Sequence, residues 1–260
     1  MLSAPSERVQ GESGAAGAAA NAVAGDVPGG GASRLAPLDA YQGSLAARVH
    51  QALKDAILSL DLAPGEILRK GEICERLGVS RSPVAEAVTR LAAEGLVDVV
   101  PQAGTFVARF SMEEIREGAF LREAIELQAV EAVAPGIGDD DLALLNRSLR
   151  MQEVLVGDGD AAGFYAEDAR MHEAILSLTG FRRLAQVAQT NWLQVNRARR
   201  LVLPKPGRIA ETLEEHRAIV DALRARDPEA ARDATRRHLR QLVRYIEPLE
   251  RERPELFDPR

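Results

Sequence analysis

The sequence predicts a mostly α protein: a small domain of short helices with a two-stranded wing, then an all-α helical bundle. Three observations carry this. Apolar residues recur at steps of three or four along most of the chain from about residue 43, the period of helices buried on one face. Strand-like texture is confined to Ile67–Leu68 and to 96–108. Aromatic residues are 4% and hydrophobic residues 46%, so the core is built mainly from Leu, Val, Ile and Ala.

Taken in order, residues 1–40 read as a disordered tail. Twenty-five of these forty residues are Ala, Gly, Ser or Pro, without helical or strand period. From 41 to 109 the texture is that of a compact domain. Leu45, Val49, Leu53, Ile57 and Leu60 mark one helix face, and Asp61–Gly65 is a turn. A short helix carrying Ile73 and Leu77 ends at Gly78. A second helix follows, with Val84, Val88 and Leu91 on its apolar face, Ser80 or Ser82 as its cap and Pro83 in its first turn. Leu96–Val100 and Thr105–Ala108 read as strands joined through Pro101–Gly104. From 111 to 247 apolar periodicity fills about 111–134, 139–156, 160–178, 182–201, 208–225 and 228–247. The segment 248–260 is charged and proline-containing and reads as frayed.

Composition excludes several classes of protein. One cysteine, Cys74, rules out an internal disulfide and every Cys-cluster zinc site, and fits a reducing, cytoplasmic compartment. No apolar run approaches the roughly 18 residues of a membrane span. Net charge is −6, which excludes a surface coated in basic residues but not one small DNA-binding face. Segment 41–109 carries eight basic and eight acidic residues, so the negative balance lies outside it.

Two short helices joined by LGVS, then a two-stranded wing, form a winged helix-turn-helix, a layout that reads DNA. The turn holds the second helix proud of the domain, so that its N-terminal end enters the major groove. Arg81 stands at that helix start, where free N–H groups also favour phosphate. Arg90 lies about two and a half turns on, and Gly104 lets the wing tip approach the DNA backbone closely. The segment PGEILRKGEICERLGVSRSPVAEAVTRLAAEGLV, followed by PQAGTFV, resembles the GntR family of bacterial transcription regulators over nearly all of 45–108. The resemblance implies DNA contacts from Lys70, Ser80, Arg81, Ser82, Arg90, Gln102 and Gly104. It also shows departures. Ala85 stands where the family usually has Arg, Ala103 where a basic residue often precedes the wing glycine, and Gly71 where relatives sometimes have Arg. Each missing cation weakens DNA binding and flattens its salt dependence; Lys70 and Gln102 offer partial compensation.

The chain has four histidines. His50, in the first helix, reads as a surface or packing residue. Asp168 and His172 are four apart on one helix face, and His216 and His238 lie on later helices. One carboxylate and three imidazoles are N/O donors suited to Zn, Ni, Mn or Fe. The segments EDARMH, EEHRAIVDAL and ATRRHLRQL stand in the order of the FCD effector domain of the FadR/VanR branch, which residues 112–245 resemble. That resemblance implies a six- or seven-helix bundle with a divalent metal, zinc first, on Asp168, His172, His216 and His238. It also implies a small carboxylate effector and a homodimer. Arg122 and Glu126 match the family's R-x-x-x-E, so Arg122 either faces the effector or forms a surface pair at i,i+4. Asn196 is a second effector-binding candidate. Arg197, Arg199 and Arg200 read as solvated or at the hinge between domains, and Phe164 and Trp192 as core.

The expected function is a cytoplasmic, ligand-responsive transcription regulator, not an enzyme, that binds a double-stranded operator. Three alternatives use the same residues: a regulator for which the ion itself is the signal, a regulator whose ion only ties helices together, and a metal-dependent hydrolase. The hydrolase lacks a spare general base beside the four ligands.

Overall fold

The computed structural model describes residues 35–184, 187 and 192–259. The tail expected over 1–40 lies outside the described residues as far as residue 34. Residues 35–40 contradict that expectation. Leu38–Ala40 form a 3-10 turn, and Leu35 and Leu38 are buried in the core of the first domain. Two leucines among Ala and Pro carry no period, so composition concealed them.

Helix α1 (Leu45–Leu58) starts at Ser44, whose side chain accepts a hydrogen bond from the Ala47 amide at 3.3 Å. Helix α2 (Lys70–Leu77) ends at Gly78, whose φ of +64° is the left-handed turn that lets α3 (Arg81–Ala93) follow so closely. Ser80 occupies the cap position of α3 but makes no side-chain capping bond. Neither serine expected to cap this helix therefore does so. Strands β1 (Val97–Val100) and β2 (Gly104–Val107) pair antiparallel, Val97 opposite Val107 and Val100 opposite Gly104. The wing turn carries Gln102 at φ +62° and Gly104 at φ +136°. Ile67 bridges to Phe106 and adds a short third rung to the wing. Leu53, Ile57, Val84, Val88, Leu91 and Leu96 fill the core beneath.

The bundle consists of α4 (Met112–Val133), α5 (Asp139–Asp158), α6 (Ala161–Leu178), α7 (Leu193–Val202), α8 (Arg208–Arg224) and α9 (Pro228–Glu252). The expected helix 182–201 is described in its second half as α7. Residues 185, 186 and 188–191 lie outside the described residues, and with them the choice between six and seven helices. Ser111, Asp160 and Asp227 each cap the helix that follows, and Pro228 takes the first position of α9, where its missing N–H costs nothing. Helix α9 packs along α4 and α8, and α5 lies against α6 and α8.

The C-terminus corrects a second expectation. Instead of fraying at 248, α9 runs through Pro248 to Glu252. Its buried stripe of Leu242 and Ile246 continues through the half-buried Leu249, so packing offsets the one backbone bond the proline removes. Beyond it Phe257 is buried against Phe110, ring centroids 5.6 Å apart. The Phe110 amide donates to the Leu256 carbonyl and the Asp258 amide to the Phe110 carbonyl, each at 2.9 Å.

Candidate metal centre and DNA-reading face

Asp168 and His172 lie one turn apart on α6, His216 on α8 and His238 on α9, and all four side chains are buried. The donor atoms converge. His172 Nε2 is 3.1 Å from His238 Nε2 and 3.8 Å from Asp168 Oδ1, and His216 Nε2 is 3.2 Å from Asp168 Oδ1. All four donors fall within 4.8 Å of one another. A shared centre about 2.1 Å from each donor would set pairs roughly 3–4 Å apart.

The opposite side of every imidazole is held. His172 Nδ1 donates to Glu126 Oε2 at 2.6 Å, His238 Nδ1 to Glu215 Oε2 at 2.7 Å, and His216 Nδ1 to Gln152 Oε1 at 2.7 Å. Gln152 is oriented in turn by donating from Nε2 to Ser148 Oγ and Met171 Sδ. A neutral ring with Nδ1 carrying the proton presents a bare Nε2 lone pair to the centre. Burial, then the neighbouring histidines and arginines, pushes His216 and His238 well below the usual imidazole range, so these two rings are neutral at pH 7. The lone pairs of His216 and His238 thus face a carboxylate oxygen and His172 Nε2; among the described residues His216 Nε2 and Asp168 Oδ1 have no hydrogen-bond partner. A cation resolves that arrangement, and the residues present fit a divalent ion with nitrogen and oxygen ligands.

Charged groups surround the donors. Glu126 is fully buried; burial alone would raise it, but the Arg122 guanidinium and His172 hold its carboxyl down to about 2. Arg122 Nε donates to Glu126 Oε1 at 2.6 Å and its guanidinium lies 5.3 Å from the Trp192 ring centre. The pair is therefore buried, not on the surface. Arg122, whose Nη2 has no hydrogen-bond partner among the described residues, lines a small cavity of about 30 Å³ together with Asp168, Arg199, Arg208, Thr212 and His238. Phe164, expected in the core, is buried with its ring parallel to His216. A larger cleft of about 790 Å³ opens near Arg109, Arg116 and Glu247. It holds no histidine, and Arg116 is already paired with Glu247 at 2.9 Å, so it is not the centre of this chemistry.

Two sequence expectations fail here. Asn196 lines a different crevice, beside Tyr41, Asp55 and Ser59 of the first domain, and does not reach the histidine cavity. On α7 it falls on the side facing α1. Arg199 is neither solvated nor at the hinge: it is 7% exposed and forms an ion pair with Asp168 Oδ2. The signal was available, because Arg199 lies on the stripe of Val195, Ala198 and Val202, where a charge has no solvent to face. Gln152 carries the same mark, seven residues after Leu145 on the buried stripe of α5. Arg197 is at the hinge as expected, fully buried. His50 is buried and bonded to Glu94 at 2.8 Å.

The first domain presents a different surface. Lys70, Ser80, Arg81, Ser82, Arg90 and Gln102 are exposed, and Gly104 is half-buried at the base of the wing turn. Lys70, Arg81 and Arg90 have no ion-pair partner among the described residues. Ala85, Glu86 and Thr89 lie exposed on α3 between the two arginines.

Comparison with known proteins agrees with both halves. Residues 45–107 match the profile described as bacterial regulatory proteins, gntR family, and residues 117–241 match the FCD domain. A protein of Streptomyces ambofaciens, described as an uncharacterized HTH-type transcriptional regulator in an unstable DNA locus, is 34% identical over 209 residues, spanning 80% of this chain and 88% of its own. The HTH-type transcriptional repressor RspR of Escherichia coli K12 is 27% identical over 210 residues, 81% of this chain and 92% of its own. Among solved structures, a GntR regulator of Rhodococcus sp. RHA1 superposes with a TM-score of 0.67 at 27% identity, over 77% of this chain and 96% of that one. McbR/YncC of E. coli shares the fold, with a TM-score of 0.65 at 24% identity, over 78% of this chain and 96% of that one.

Proposed function

Because the chain belongs to the GntR family of bacterial DNA-binding transcription regulators and carries an FCD domain, we propose that its helical domain binds a divalent metal, zinc first, and a small organic acid that adjusts operator binding. One observation carries the reading. Three imidazoles and Asp168 Oδ1 converge in a buried space, while each Nδ1 is committed to a carboxylate or an amide oxygen. Asp168, His172, His216 and His238 are the ligands; Glu126, Gln152 and Glu215 orient the rings. The ion supplies an electrophilic centre for an acid oxygen. Arg122, buried at the same cavity with Nη2 unpartnered, supplies a second, hydrogen-bonding hold on a carboxylate.

The protein acts as a cytoplasmic homodimer on a double-stranded operator, with Lys70, Arg81 and Arg90 contacting phosphate and the N-terminal end of α3 in the major groove. Ser80, Ser82, Gln102 and Gly104 supply further contacts to the operator. A hydrolytic role finds no support in the cluster, since Glu126 and Glu215, the carboxylates beside it, are both spent on histidine Nδ1 atoms.

The test is thermal melting of chelator-stripped and zinc-loaded protein, each against a panel of small organic acids. A ligand at 100 times its Kd stabilises by about 2.7 kcal/mol. An acid that raises the melting temperature of the loaded protein alone supports the reading. Zinc that fails to stabilise the protein sinks the metal assignment.

A further inference from the structure

We propose that α7 carries occupancy of the histidine centre to the DNA-reading domain: Arg199 reports the state of Asp168, while Arg197 and Gln194 of the same helix hold the end of the wing and the end of α3. The inference rests on the metal reading above and adds how that site regulates.

Helix α7 has ten residues, so a displacement at one side chain moves the others with it. Arg199 pairs with Asp168 Oδ2, and the other oxygen of that carboxylate, Oδ1, faces the three imidazoles. An ion at the centre would place a second cation on the carboxylate that Arg199 already uses. Two positive charges then share one acid in a buried space where screening is weak, and the position of Arg199 depends on whether the ion is there.

The same helix grips the first domain at two points. Arg197, wholly buried, donates from Nη2 to the Ala108 carbonyl at 2.8 Å and lies 4.7 Å from the Phe110 ring centre. Ala108 directly follows β2. Arg197 Nη1 also donates to Gln194 Oε1 at 3.2 Å, and Gln194 Nε2 donates to the Gly95 carbonyl at 3.1 Å. Gly95 lies two residues beyond α3. Thus the recognition helix and the wing are each tied, at their trailing ends, to the helix that bears Arg199.

The connection has little slack. Phe110, two residues past the Ala108 contact, is bonded on both sides to the C-terminal segment, through the Leu256 carbonyl and the Asp258 amide. A shift of α7 is therefore not absorbed by a loose linker. A regulator needs its ligand to favour one arrangement over another, and ordinary coupling changes affinity by about 5- to 150-fold.

Hydrogen exchange on the full chain tests this without knowledge of the operator, with Zn²⁺ as the only added ligand to stripped protein. Amides in 164–176 and 212–240 should slow on zinc addition, and those in 94–110 should change rate by about 5-fold or more. In Arg197→Gln the first response should persist and the second disappear. Gln194→Ala, at a half-buried position, should keep the fold and weaken the second response. A wild-type protein that slows at 164–176 and 212–240 without any change at 94–110 overturns the proposal. So does a wild-type response at 94–110 in a folded Arg197→Gln or in Gln194→Ala. No response in either region removes the metal reading, and the coupling falls with it.

Discussion

On the reading face, Arg81 and Arg90 stand in solvent at opposite ends of α3 without ion-pair partners among the described residues. In the bundle, Arg122, Arg199 and Arg208 are buried, and each is tied to a carboxylate. The contrast follows from what each surface must do. A cation that will meet phosphate gains most if it is hydrated and free beforehand, since contact then releases counterions from the DNA. A cation inside a bundle is tolerated only when its charge is answered locally, because an unpaired buried ion costs several kcal/mol. The reading face therefore keeps its charges uncommitted, and the centre spends its charges on holding one another in place.

Substitutions should separate these two uses of charge. The largest effect is expected from Asp168→Ala, which removes a metal donor and also strips Arg199 of its carboxylate. The stripped protein should lose about 3–5 kcal/mol in denaturant unfolding, and zinc should not restore it. His172→Ala, by contrast, should cost the zinc-dependent gain, about 2.7 kcal/mol at 100 times Kd, and less of the basal stability. Equal basal losses in the two variants would argue that the Arg199 pair contributes nothing.

Next in size is Glu126→Gln, which keeps the shape but weakens the hold on His172 Nδ1. Loss of such a supporting group typically lowers metal affinity about 10- to 100-fold, measurable by competition with a chromophoric chelator. Unchanged affinity would show that His172 is oriented by packing alone.

On the other region, Arg81→Ala should weaken operator binding and lower the slope of log affinity against log salt by about 1, with metal affinity unaffected. Ala85→Arg, restoring the cation usual in relatives, should steepen that slope. If neither changes it, α3 does not face phosphate.

The smallest effect concerns acid. His216 and His238 are held below their unfolded values, first by burial and then by neighbouring rings and guanidinium groups. The unfolded chain thus takes up these protons first as pH falls. Their contribution to stability is fully present above the unfolded pKa of about 6.5 and is lost progressively below it. The melting temperature of stripped protein should be level above neutrality and decline once pH drops below about 6.5. A melting temperature that stays level to about pH 5 would contradict the burial of neutral rings.

Much of this was legible in the residues. Regular apolar steps located the helices, and the LGVS turn with its Gly78 located the reading head, because backbone period and left-handed glycine leave a local mark. The four candidate ligands were readable as residue types standing in family order. Their supporting partners were not. Glu215 looks like any solvated acid, and Gln152 and Arg199 are polar residues on apolar stripes whose partners lie on other helices. Asn196 misled because a polar residue beside three arginines gives no sign of which domain it faces. The ends of the chain misled for the opposite reason. Leu35, Leu38 and Phe257 stand in short stretches of polar or small residues without helical or strand period, and only the three-dimensional packing shows that each has a place to go.

The most direct measurement is X-ray absorption at the zinc edge, with metal content, on protein loaded with Zn²⁺ and desalted. The account predicts one tightly held ion per chain, surrounded by nitrogen and oxygen neighbours with the outer-shell scattering of three imidazoles. It further predicts that this scattering is reduced in His172→Ala. Protein that retains no stoichiometric metal, or an ion whose spectrum is the same in wild type and His172→Ala, would contradict it.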